Sequence, residues 1–340
     1  MIRVAVVCDA HKNHHSSRLM LGLRACNIEV VIDHKGVSTT KYDYVFVESS
    51  FPKEITYETD SNIILYDVED DPRHEKLGEA FYQLKDKALA YVKYNYIEDT
   101  FHNLKVIGSP LVEYMYRGSD IAKKIVGNQI GEPSLDAFFI GGPSYYSLGY
   151  KASPNANHVD REELCTTPKS LIPDHKGRTV YHQRLEWVDK LSRNDQVKFQ
   201  GGLWFQDLNN ISEEFQVKQF GKGVLTYKVN KIAPDSLYTF IFNSLFGLCP
   251  SGFARSSFRL IELMALAKPL LLTSGLKYSY LYNPISFHTI EDGEDIDTTI
   301  LELKDDQEKL NTLKEGALAN HKIFMELTPE KMWQDFVSKL

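Results

Sequence analysis

The sequence predicts an α/β protein made of two doubly wound, parallel-sheet domains. Short apolar runs without polar alternation recur along the chain, beginning at Ile2–Cys8, and loops or helical stretches separate them; parallel strands covered on both faces look like this. The 340 residues exceed what one small core needs and suit two domains of ordinary size. A turn-rich stretch, Gly127-Asn128-Gln129-Ile130-Gly131-Glu132-Pro133-Ser134, breaks the pattern before a new apolar run begins, as an interdomain linker would. The expected division is a first domain at 1–130, a second at 131–326 and a terminal helix at 327–340 that returns to the first.

Composition narrows the class. Hydrophobic residues at 43% and charged residues at 25% describe a globular chain, and no apolar run is long enough to span a bilayer. Met1 leads straight into Ile2–Cys8, which Asp9 closes; this is too short for a signal peptide, so a cytoplasmic protein is expected. Cys8, Cys26, Cys165 and Cys249 stand singly, without a Cys-x-x-Cys pair, so neither a zinc framework nor a disulfide framework is indicated. A net charge of -7 argues against a surface given over to nucleic acid, although a local basic groove stays open.

In the first domain, strands are expected at Ile2–Cys8, Ile28–Ile32, Tyr44–Val47 and Asn62–Tyr66, with a helix at Ser16–Cys26. Ligands of such sheets bind outside the carboxyl ends of the strands. The loop after the first strand is Asp9-Ala10-His11-Lys12-Asn13-His14-His15-Ser16-Ser17. It lacks Gly-x-Gly-x-x-Gly, which disfavours a dinucleotide-dependent dehydrogenase. Three readings of it stay open. His11, His14 and His15 with Asp9 form a metal-like spacing without a fourth ligand; Asp9, His14 or His15 is a general base for an acceptor hydroxyl; or the loop is solvated, with Ser16 or Ser17 capping the helix. The fourth strand runs into Asp67-Val68-Glu69-Asp70-Asp71-Pro72. Asp67, nearest the strand end, is either a further base candidate or part of an acidic helix start. A helix is expected over Glu75–Tyr91, then short strands at Tyr91–Tyr96 and Leu104–Ile107. The tyrosines there are either a stacking platform or half-buried spacers.

The second domain opens with Ala137–Ile140 and a Gly141-Gly142 turn, whose glycines would let backbone approach a phosphate. The stretch from Tyr150 to Arg178 loses all periodicity, as a functional or mobile loop does. A helix over Thr179–Leu191 turns Tyr181, Leu185 and Val188 inward, and a strand ends in the Gly201-Gly202 turn. After a helix at Pro234–Asn243 comes the most informative stretch, Phe246 to Thr273: strand, Pro250/Gly252 loop, helix, and a new strand after Lys268-Pro269. Ser256 and Ser257 are N-cap candidates, and Arg255 and Arg259 lie at a helix N-terminus whose amides and dipole already favour an anion. Glu262 follows Arg259 at i+3, on the same face. Such a helix start suits a phosphorylated, hydroxyl-rich ligand: amides and Arg for a diphosphate, Glu for sugar hydroxyls. The alternative is an ordinary ion pair on a helix surface. Two closing helices are expected, at Asp305–Phe324 and Pro329–Leu340.

The order Ser257-x-Arg259-Leu260-x-Glu262, a small-residue helix, Lys268-Pro269 and an apolar strand resembles the donor-site segment of GT-B glycosyltransferases, most closely the exostosin-like family. The resemblance covers roughly the last third of the chain. It implies two Rossmann-like domains facing a cleft, with Arg259 and Glu262 as donor contacts. Arg255, Ser257, Gly141, Gly142 and Gly201 would stand beside the donor, and Asp9, His14, His15 or Asp67 would supply a base on the acceptor side. Ala267-Lys268 departs from the family's Gly followed by a small or apolar residue. Known exostosins are largely membrane-anchored, so the expected relative is bacterial or viral, acting in the cytoplasm of a bacterium or of an infected cell. The function implied is transfer of a sugar from a nucleotide-diphosphate sugar, a UDP-sugar above others, to a hydroxyl of a glycan, a small molecule or a hydroxymethylated viral DNA base. No metal and no further cofactor is called for. A sugar-nucleotide epimerase and a non-catalytic nucleotide-sugar-binding relative are the alternatives.

Overall fold

The computed structural model describes residues 2–9, 14–48, 51, 55–57, 61–67, 83–93, 100–101, 103–108, 120–126, 132–142, 180–204, 223–230, 232–250, 258–273, 286–291, 294–326 and 329–339. The chain divides into two compact units. One comprises Met1–Tyr116, Lys277–Leu281 and Glu326–Leu340, the other Arg117–Leu276 and Tyr282–Met325. The division thus falls at Tyr116–Arg117, upstream of the stretch expected to carry it, most of which lies outside the described residues.

The first unit runs β1 (Arg3–Val7), α1 (His14–Ala25), β2 (Glu29–Asp33), β3 (Val37–Ser38), β4 (Tyr44–Glu48), β5 (Thr56–Tyr57), β6 (Asn62–Asp67), β7 (Ala90–Lys93), β8 (Thr100–Phe101) and β9 (Leu104–Gly108). Its main sheet has the order β2-β1-β4-β6-β7-β9-β8; only the β8–β9 pair is antiparallel. Val4 to Val7, Val45 to Val47 and Ile64 to Leu65 are almost wholly buried, which is why these strands read as unbroken apolar runs. Strand order reverses at β1, with β2 on one side and β4 on the other, so the crevice for a ligand is at their carboxyl ends.

Helix α1 begins at His14, so Ser16 and Ser17 lie inside it and do not cap it. The helix expected to reach Tyr91 has ended by Leu84, and Tyr91 is a core residue of β7. A β-strand rather than a helix wins there because Ala90–Lys93 is buried throughout between β6 and β9.

The second unit contains a single π-turn (Ala122–Val126), then β10 (Leu135–Gly141), α2 (Val180–Arg193), β11 (Phe199–Leu203), α3 (Gly223–Thr226), α4 (Pro234–Phe242), β12 (Ser244–Cys249), α5 (Phe258–Ala265), β13 (Leu270–Thr273), β14 (Phe287–Ile290), α6 (Ile296–Asp305) and α7 (Gln307–Glu326). Its sheet is wholly parallel, in the order β11-β10-β12-β13-β14, and reverses between β10 and β12. Ala137, Trp187, Val188, Leu191, Phe246 and Leu271 lie at the centre of its core. The last helix, α8 (Pro329–Val337), belongs to the first unit, where it packs on α1 and buries Phe336 against Phe46.

Three helices, not two, follow β14. Asp306 ends α6, and its carboxylate accepts the Lys309 N–H at 3.0 Å, which caps α7. Gly201-Gly202 is not a turn. Both residues lie within β11, and Gly201 has φ +143. A Cβ on Gly201 would sit 1.9 Å from the Phe139 carbonyl oxygen, and one on Gly202 would sit 2.4 Å from that of Tyr227. These glycines admit neighbouring backbone rather than a ligand.

Candidate functional site

The carboxyl edge of the second sheet gathers two arginines. Strand β10 ends at Gly141, and the Gly142 carbonyl accepts Nη1 of Arg184 at 2.5 Å. Arg184 comes from the first turns of α2, three residues before Trp187 and four before Val188, and so shares their inward face. Burial draws its pKa down to about 10, with Cys249 opposing that shift and Arg259 adding to it. From the other side of β10, Arg259 of α5 points Nη2 at the Ile140 carbonyl, 3.4 Å away. The two guanidiniums therefore meet carbonyls two residues apart at one strand end, close enough for like-charge repulsion to register.

Arg259 Nη1 lies 3.1 Å from Glu262 Oε2, and Tyr238 of α4 donates its phenol to Glu262 Oε1 at 2.8 Å. The arginine side chain is 17% exposed and the glutamate 2%. This burial rules out the ordinary surface ion pair. Arg259 Nη1 has no aligned hydrogen-bond acceptor among the described residues, and neither does the buried hydroxyl of Thr273 at the end of β13. Arg259 meets the end of β10 and Thr273 ends β13, so both stand at the carboxyl edge, where an α/β sheet takes its ligands.

Helix α5 is held tightly against its strand: a Cβ on Gly247 would come within 2.8 Å of Leu263. Its end is a Schellman motif. Ala267 N–H bonds Met264 O at 3.0 Å and Lys268 N–H bonds Leu263 O at 3.1 Å, with Ala267 at φ 55. That left-handed position is where glycine is usual, and in this chain Ala267 fills it. The second, Lys268, is buried and donates Nζ to the carbonyls of Phe242 (2.5 Å) and Ser244 (2.7 Å). It ties the end of α5 to the amino end of β12, away from the arginines.

In the first unit, Asp9 follows β1 and is half-buried. His14 and His15 are in the first turn of α1; their side chains lie outside the described residues. Asp67 ends β6 beside Lys93, its register partner on β7, and takes both the Lys93 ammonium and the Tyr91 phenol. Asp67 and Lys93 are fully buried. Burial, with Asp67 adding to it, pushes the Tyr91 phenol well above its ordinary pKa. Asp67 is thus a core charge pair. The geometry brings His34, just after β2, onto the Cys8 carbonyl at 2.9 Å.

Arg255 and Ser257 lie outside the described residues, as do Ser256 and the long polar stretch at 150–178. The sequence reading missed Arg184 and His34. Arg184 had a signal, an arginine at i+3 from Tyr181 and i-4 from Val188 on an otherwise apolar stripe; His34 had none. Among the described residues no group of three or more His, Cys, Asp or Glu is clustered for a metal, and no helix is long and apolar enough to cross a membrane.

No family model matches the chain, and no curated protein matches it in sequence. Solved structures do. Sucrose-phosphate synthase from Thermosynechococcus elongatus is 8% identical, with 100% of this chain and 98% of that one covered and a TM-score of 0.52. HepE from Anabaena, solved in complex with UDP, is 12% identical, with both chains covered completely and a TM-score of 0.50. Both comparisons, with the two parallel sheets, decide the architecture. The fold is GT-B. In GT-B terms the arginine cluster sits at the switch point of the second sheet, and β1 with α1 forms the switch point of the first.

Proposed function

We propose that the protein transfers a sugar from a nucleotide-diphosphate sugar to an acceptor hydroxyl. The observation that carries this reading is the convergence of Arg184 and Arg259 on the Gly142 and Ile140 carbonyls at the β10 end. Two half-buried like charges repel, and a diphosphate between them relieves the repulsion while making charge-assisted, bidentate bonds. Tyr238 and Glu262 hold Arg259 in place for that contact. The positive end of α5, with Arg255 and Ser257 just before it in sequence, adds donors for the same phosphates.

In the reaction the arginines stabilise the charge that builds on the leaving diphosphate, and the anomeric carbon passes through an oxocarbenium-like centre. The HepE complex with UDP supports a uridine nucleotide as donor, and the Ser257-x-Arg259-Leu260-x-Glu262 order supports an exostosin-like donor site. The acceptor is a hydroxyl of a glycan, a small molecule or a modified base. Thermal denaturation of the protein with UDP, GDP, CDP, ADP and their sugars tests the reading. A nucleotide that binds the native state raises the melting temperature; no shift with any of them would overturn it.

A further inference from the structure

We propose that His34 is the general base for the acceptor hydroxyl, an assignment that rests on the transferase reading above. A backbone carbonyl has only acceptor capacity. In the neutral imidazole, the 2.9 Å contact between His34 Nδ1 and the Cys8 carbonyl therefore places the proton on Nδ1 and leaves the lone pair on Nε2. The residue is exposed, and Nε2 makes no hydrogen bond among the described residues.

Its place in the fold suits the task. His34 follows the last residue of β2, and Cys8 follows the last residue of β1, so the ring spans two adjacent strands at the carboxyl edge beside the switch point. The groups around it leave it available. Asp33 turns its carboxylate to the Lys35 N–H at 2.7 Å, and the Cys8 thiol lies 3.9 Å from Nδ1. Asp67, the other acid at this sheet's edge that the sequence singled out beside Asp9, is sealed between Lys93 and Tyr91.

The acceptor O–H proton passes to Nε2, and the oxygen lone pair forms the new bond to the anomeric carbon. The bond from that carbon to the diphosphate oxygen breaks, its electron pair leaving with the nucleoside diphosphate. The imidazolium keeps its Nδ1–H on the Cys8 carbonyl throughout and later returns the second proton to solvent. Attack by this route inverts the anomeric configuration.

The full chain, labelled with 15N-histidine, provides the test, together with His34→Asn, whose amide preserves the bond to the Cys8 carbonyl but cannot take a proton. Nitrogen shifts should show His34 as the Nδ1–H tautomer. Release of UDP from UDP-glucose, with water as the acceptor hydroxyl, should fall on the order of a hundredfold or more in His34→Asn, with the affinity for UDP unchanged. An Nε2–H tautomer, or wild-type release in the variant with UDP still bound, overturns this assignment alone. A wild-type chain that binds no UDP overturns the UDP-donor reading and this assignment with it.

Discussion

Lys268 and Asp67 show how single buried charges shape this molecule. Lys268 has its pKa drawn down from 10.5 to about 8 by burial, with Lys314 adding to the shift. Between those two values the unfolded chain holds a proton that the folded chain has shed, so stability rises with pH across that window; below pH 8 the cost of charging Lys268 is constant. Urea midpoints measured from pH 7 to 9.5 should climb above pH 8 in the wild type, and the climb should be absent in Lys268→Met. Asp67 makes the opposite kind of case. Breaking a fully buried pair from one side leaves its partner's charge stranded, which costs about 3–5 kcal/mol. Asp67→Asn should therefore lower the urea midpoint sharply, and Asp67→Leu combined with Lys93→Leu should recover much of the loss. A variant of Asp67 with wild-type stability would return it to the list of open acids.

At the level of elements, the end of α5 and the middle of β11 are governed by backbone conformation. Ala267 sits left-handed at φ 55, which costs a residue with a Cβ roughly 1–2 kcal/mol. Ala267→Gly should raise stability by about 1 kcal/mol once the entropy of glycine is set against that cost, and an unchanged or lower melting temperature would contradict the strain. Gly201→Ala should do the reverse, because its Cβ meets the Phe139 carbonyl of β10 and the strand pair must separate; a melting temperature within a degree of wild type would contradict that. The same elements show what could be read from residues. β1, β4, β6, β10, β12 and β13 were legible because strands buried on both faces carry unbroken apolar runs. β3, β5 and β8 are two residues each, too short to leave a period. α7 was legible as the helix expected over Asp305–Phe324, with Asp306 capping its start, whereas α6, over Ile296–Asp305, was not expected. Arg259 and Glu262 were legible as a local i to i+3 pair, whereas Arg184 reaches the site only because β10 and α2 are brought together across a long interval of chain. Asp67 read as an open acid because its partner Lys93 is set by strand register, which no local pattern records.

At the scale of the whole molecule, the proposed transfer draws on both parallel sheets of the GT-B fold: arginines at the switch point of one, the His34 imidazole at the carboxyl edge of the other. Binding of UDP at a hundred times its dissociation constant should stabilise the native state by about 2.7 kcal/mol, visible as a rise in melting temperature that Arg184→Met and Arg259→Ala both diminish. The most direct measurement of the central claim is calorimetric titration of UDP into the wild type, Arg184→Met, Arg259→Ala and Arg259→Lys. Loss of either guanidinium should weaken UDP by about tenfold to a hundredfold, the equivalent of 1.5–3 kcal/mol for a charge-assisted bond. Arg259→Lys should recover only part of the loss, since an ammonium lacks the planar fork. Equal UDP affinity across the four proteins, each shown to be folded, would contradict the account.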